Sequence, residues 1–174
     1  PFVRAPPAMR TAGFRAPRPP RRVSAMSVIL LLKLVHVLAA IVAVGSNVTY
    51  AFWLNRAGRE QGRLLFALQG IRALARRIAN PAYIVLGITG PAMVIAGVYS
   101  FTTGWIAVSI ALYIGVALLG ILVFAPAVRR QVAEAERDPT SPAYEAAARR
   151  TTRLGWLTTA VALTIVVLMV TKPF

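Results

Sequence analysis

Apolar residues run along this chain in four long blocks, at residues 28–54, 82–100, 105–124 and 154–171. Each has roughly the 20 residues that a helix needs to cross a ~30 Å hydrocarbon core. The pattern predicts an all-α integral membrane four-helix bundle. Only the uncharged Phe101-Thr102-Thr103-Gly104 joins the second block to the third, so these two form a tight antiparallel hairpin.

The segments between the blocks carry patterns of their own. Leu64, Leu68, Ile71, Ala75 and Ile78 recur at helical spacing while Gln69, Arg72 and Arg76 hold another face, which describes an amphipathic helix at the headgroup level. Asn80-Pro81 is expected to end that helix and start the second span. In the last long loop Asp138-Pro139 breaks the chain, and Ser141-Pro142 makes an N-cap and first-turn pair that starts the fourth span as a helical extension. Residues 26–174 thus form the membrane domain. Residues 1–25, with six Pro, six Arg and no acidic residue, form a tail that is disordered unless bound. Met26 stands directly before the first block, so the tail reads as upstream sequence on a protein that starts there. A twin-arginine or organellar targeting segment fits less well, because the apolar run that follows is too long for a signal sequence.

Charge fixes the orientation. The net charge of +15 sits almost entirely outside the spans, with six arginines in the tail, six in the 55–81 loop and six in the 125–153 loop. The turn around Thr102 has none and the C-terminal end only Lys172. By the positive-inside rule both long loops are cytoplasmic and both termini outside, an arrangement that the basic tail opposes but does not outweigh. This placement suits a bacterial inner-membrane protein with anionic lipid at its arginine-rich loops, and no nucleic-acid partner. Composition narrows the chemistry further: 57 % of residues are hydrophobic, 14 % are charged, and there is no cysteine. Disulfides, thiolate sites and cysteine nucleophiles are excluded, and one histidine with five acidic residues gives no expectation of a protein-only metal site.

That histidine, His36, lies inside the first block, about 12 Å from its outer end, three residues after Lys33. Ionisable groups in hydrocarbon are costly and require a partner, a cofactor or a route to water. Lys33, His36, Ala40, Ala43, Asn47 and Tyr50 share one face and form a polar and small-residue stripe suited to the bundle interior. On the second span Gly87, Gly90 and Pro91 allow close approach and a kink, and Met93 comes to a similar depth as His36. His36 and Met93 are therefore candidate ligands of a b-type haem, with Lys33 a further candidate cofactor-binding residue and Met169 a shallower alternative ligand. The plainer reading is a histidine hydrogen-bonded to Thr or Tyr on the next helix, with Asn47 and Tyr50 serving as further helix-to-helix bonds.

Several segments carry a family resemblance: Lys33-Leu34-Val35-His36-Val37-Leu38-Ala39, Ala75-Arg76-Arg77-Ile78-Ala79-Asn80-Pro81-Ala82, Thr89-Gly90, Gly104-Trp105 and Val170-Thr171-Lys172-Pro173-Phe174. Over residues 27–174 the chain resembles small bacterial four-helix membrane proteins of an uncharacterised family. Their better-known relatives are the HemJ-type protoporphyrinogen oxidases and, more distantly, CopD-like copper-resistance membrane domains. The resemblance implies a haem-associated role for His36. The HemJ type would also supply an Arg in the first helix and a Lys and a second His in the third. Here the third block has no Lys, Arg or His, and Val48-Thr49-Tyr50 stands at the arginine region. The expectation is an accessory subunit of a larger membrane assembly, respiratory or otherwise redox, since the tail could order only against a partner. A HemJ-like porphyrinogen oxidase and a small-molecule or ion carrier are the alternatives, and no catalytic residue is assigned.

Overall fold

The computed structural model describes residues 22–173, with side chains described for 26–50 and 52–173. The expected tail lies outside the described residues up to position 21; from Arg22 onward it is the start of the first helix. Six α-helices follow one another: α1 (Arg22–Ala57), α2 (Gln61–Leu74), α3 (Asn80–Ile95), α4 (Gly104–Leu119), α5 (Ala125–Arg137) and α6 (Pro142–Thr171). Short π-turns at Ala75–Ala79 and Gly120–Phe124 fuse α2 to α3 and α4 to α5. The outcome is four continuous helices of 30 to 36 residues, all long and apolar enough to cross a membrane. The protein is an all-helical, multi-pass integral membrane protein.

The amphipathic helix of the first loop is present, but Asn80-Pro81 does not end it. Proline lacks an N–H and its ring presses on the carbonyl four residues back, so an unmodified α-helix would kink or break there. The preceding turn instead widens: the Asn80 N–H bonds to the Ala75 carbonyl, five residues back. The same device precedes Pro126, where Ala125 N–H bonds to the Gly120 carbonyl. The Ser141 N-cap forms as expected, its hydroxyl accepting the Tyr144 N–H at 3.2 Å. At the hairpin α3 stops at Ile95, short of the end of the apolar block, where Gly97 turns the chain at φ +79°.

Helix α1 packs most extensively on α3, and α4 on α6. Apolar side chains gather at the two ends of the bundle. At the long-loop end Ala57, Leu64, Ala67, Leu68, Val132, Ala135 and Tyr144 form one core from α1, α2, α5 and α6. So α2 packs its apolar face on α5, and Gln61 ties the two by donating to the Glu136 carbonyl at 3.2 Å. At the hairpin end Val94, Trp105 and Ile106 form a second core, with Met169 against it. Between the two lie small and polar buried residues, Ala39, Ala43, Ser46, Thr89 and Ala162 among them. Small side chains let helix backbones approach closely where no apolar driving force operates between helix and lipid.

Candidate functional site

The waist between the two cores holds the polar groups of the first span. His36 Nδ1 lies 2.8 Å from Thr89 Oγ1 on α3, and the Thr89 hydroxyl is 2.7 Å from the Val85 carbonyl one turn back. A carbonyl only accepts, so the Thr89 proton is committed to Val85 and the threonine oxygen must accept from His36. His36 then carries a proton on Nδ1, and in the neutral ring Nε2 keeps a lone pair. The ring rests against the bare backbone of Gly90, where an added Cβ would stand 3.5 Å from His36 Cε1.

One half of the bundle further along, Asn47 Nδ2 donates to the Tyr83 hydroxyl at 2.7 Å. Tyr113 on α4 donates to the Tyr83 carbonyl at 2.7 Å, which links α1, α3 and α4 through one residue. Gly87 makes this reach feasible, since a Cβ there would meet the Tyr113 hydroxyl at 2.6 Å. The Tyr50 hydroxyl is buried nearby with no hydrogen-bond partner among the described residues.

His36, Asn47 and Tyr50 share the inward face that their spacing implies, and the partners of His36 and Asn47 both come from α3. Thr89 takes the role of the expected hydrogen-bonding neighbour. Spacing alone does not single out Tyr83 or Tyr113: Tyr83 is the second residue of its apolar block, and only Tyr113 lies near the middle of one. Lys33 is exposed on α1 without an ion pair among the described residues. Met93 is buried in the last turn of α3, one turn beyond Thr89. Met169 is committed to the apolar core at the hairpin end.

This geometry tests the fit of a haem. An iron ligated by a His and a Met has the two side chains on opposite sides of the porphyrin, so the helices that carry them must stand apart to admit the ring. Here α1 and α3 are the most extensively packed pair and His36 touches the Gly90 backbone. A porphyrin sandwiched between His36 and Met93 does not fit this packing. His36 by itself has ligand chemistry in its neutral form, with Nδ1–H anchored and the lone pair on Nε2. Among the described residues no three His, Asp or Glu converge as a metal cage.

An open hollow lies elsewhere, on the α2 face and its π-turn. It measures about 310 Å³ and is lined by Gln69, Arg72, Ala73, Arg76 and Arg77.

No curated protein and no solved structure matches the chain. One family model does, over residues 30–173, described as a predicted integral membrane protein, DUF2269. The match runs from within α1 through the other three membrane-length helices and takes in every residue of the polar waist, and the chain belongs to this family of integral membrane proteins.

Proposed function

We propose that this protein is a non-catalytic subunit of a larger assembly in the bacterial plasma membrane, with both termini outside and the α2–α5 end in the cytoplasm. The observation that carries the reading is the use made of the intramembrane polar groups. His36, Asn47, Tyr83 and Tyr113 each bond to a neighbouring helix of the same bundle rather than converging on a shared cavity. Such bonds fix helix register and rotation at modest strength, about 0.6 kcal/mol each on average. A bundle held in this way is a scaffold, and its long apolar faces are open to lipid and to other membrane subunits. The arginine-rich loops favour anionic lipid on the cytoplasmic side.

Extraction in a mild detergent followed by native electrophoresis tests this reading. The chain is expected in a complex much larger than itself; migration only as a free monomer or small homo-oligomer overturns it.

The His36 tautomer favours a second reading, a haem held by His36 Nε2 where this bundle meets another subunit, with exposed Lys33 offering a cation to its carboxylates. The resemblance to HemJ-type proteins belongs to this reading. It requires a Soret band in protein purified from cells supplied with haem, lost in His36→Ala. A spectrum without haem absorbance sinks it and leaves the scaffold role standing.

A further inference from the structure

The arginine hollow on α2 has a continuation that points to its ligand. Arg72, Arg76, Asn80, Ile84 and Ile88 recur every four residues, and all five are exposed. In an uninterrupted α-helix a run of fours drifts round the surface by about 40° per step, so that Arg72 and Ile88 would lie on different faces. The π-turn at Ala75–Ala79 lies within this run and winds more residues into its turn, which offsets part of the drift. One surface stripe therefore passes from arginines to isoleucines along the fused α2–α3 helix. Ile84 is 61 % exposed and Ile88 63 %, so nothing among the described residues covers the apolar part.

Arg72, Arg76 and Arg77 have no acidic partner among the described residues, whereas the arginines at 59, 63, 137 and 149 each pair with a glutamate. Three uncompensated guanidinium groups and the Gln69 amide around one hollow suit a phosphate, which accepts forked N–H pairs from arginine. The distance along the helix supplies the rest of the ligand. From Arg76 to Ile88 the rise is roughly 18 Å, about the depth of a single leaflet from headgroup to near the bilayer midplane.

We infer that Gln69, Arg72, Arg76 and Arg77 form a binding site for the headgroup phosphate of an anionic glycerophospholipid, whose acyl chain lies along Ile84 and Ile88. The site rests on the general preference of the arginine-rich loops for anionic lipid and narrows it to one place and one pose. A free phosphate would use the arginines and ignore the isoleucines; a lipid needs both.

The test uses the full chain in mild detergent, with phosphatidylglycerol, phosphatidylcholine and inorganic phosphate as probes and native mass spectrometry as the readout. Wild type is expected to retain phosphatidylglycerol in preference to phosphatidylcholine, with millimolar inorganic phosphate failing to displace it. Arg72→Gln/Arg76→Gln/Arg77→Gln is expected to bind it on the order of tenfold or more weakly. The control Arg129→Gln/Arg130→Gln/Arg150→Gln removes the same charge from other exposed arginines and is expected to bind as wild type does. Equal weakening in both triple variants would mean diffuse attraction to a basic surface and overturns the site. Displacement by inorganic phosphate overturns the lipid assignment. All six arginines are exposed, and far-ultraviolet circular dichroism checks that both variants remain helical. Binding of lipid is independent of assembly size, so a monomeric wild type that retains phosphatidylglycerol would remove the scaffold reading and keep this one.

Discussion

The hydroxyl of Thr89 decides which nitrogen of His36 carries a proton. Because Thr89 gives its own proton to Val85, it accepts from Nδ1, and Thr89→Val should release that preference while leaving the fold in place. Nitrogen-15 shifts of the His36 ring are expected to report the Nδ1–H form in wild type and a mixed population in the variant. The stability loss on unfolding should be about 0.6 kcal/mol and no more than about 1.7. Gly87 poses a steric question instead of an electronic one. Gly87→Ala would press a methyl group onto the Tyr113 hydroxyl at 2.6 Å and is expected to cost about 1–3 kcal/mol. Tyr113→Phe in the same chain should recover part of that loss, although the ring carbons at 3.2 Å remain close. Thermal unfolding of the single and double variants in detergent measures both.

The helical rods depend on how two prolines are absorbed. Pro81 and Pro126 each follow a π-turn, and the widened turn lets helix continue from the loop into the span. In Pro81→Ala the obligation to avoid the ring disappears, so the turn should relax towards α-helix and rotate α3 relative to α2. Spin-label distances between Cys substituted at 66 and at 84 are expected to change; the chain has no native cysteine to interfere. Unchanged distances would show that tertiary packing, not proline, holds the π-turn. The hydropathy of the blocks made the spans legible, and Ser141-Pro142 made the start of α6 legible. The fusion of α2 to α3 was not legible, because a proline after an amphipathic run looks the same whether the helix stops or widens. The place of Met93 within its helix was not legible for a related reason. Counting from the end of an apolar block assumes that the helix ends there, whereas α3 stops at Ile95 and puts Met93 in its last turn. His36, in a helix that extends to Arg22, then faces Thr89 and Gly90 instead.

Across the whole molecule, apolar burial is concentrated at the two ends while the middle is joined by small residues and hydrogen bonds. Leu64 is 1 % exposed at the centre of the long-loop core, whereas Phe66, two residues on, is 75 % exposed. Leu64→Ala is expected to lower stability by about 2–5 kcal/mol, and Phe66→Ala to stay within about 0.5. Comparable losses would show that Phe66 is covered in the native assembly. Denaturation by sodium dodecyl sulfate, followed by circular dichroism, supplies the comparison. The polar stripe on the first span was readable from spacing alone. Its partners were not, since antiparallel register depends on where the helices end and on which faces α3 and α4 turn inward.

The long-loop core also imposes an order of assembly. Leu64 and Leu68 reach their partners Val132 and Tyr144 only after α5 and the start of α6 have been made, so the apolar face of α2, met until then by the end of α1 alone, stays partly uncovered through the synthesis of two membrane crossings. The α1–α3 pair has no such delay and can close while the rest of the chain is still emerging. During that interval the exposed face of α2 is a natural contact for an insertion factor or chaperone. A chain arrested after Arg137 should therefore be bound or degraded far more readily than one that has completed α6.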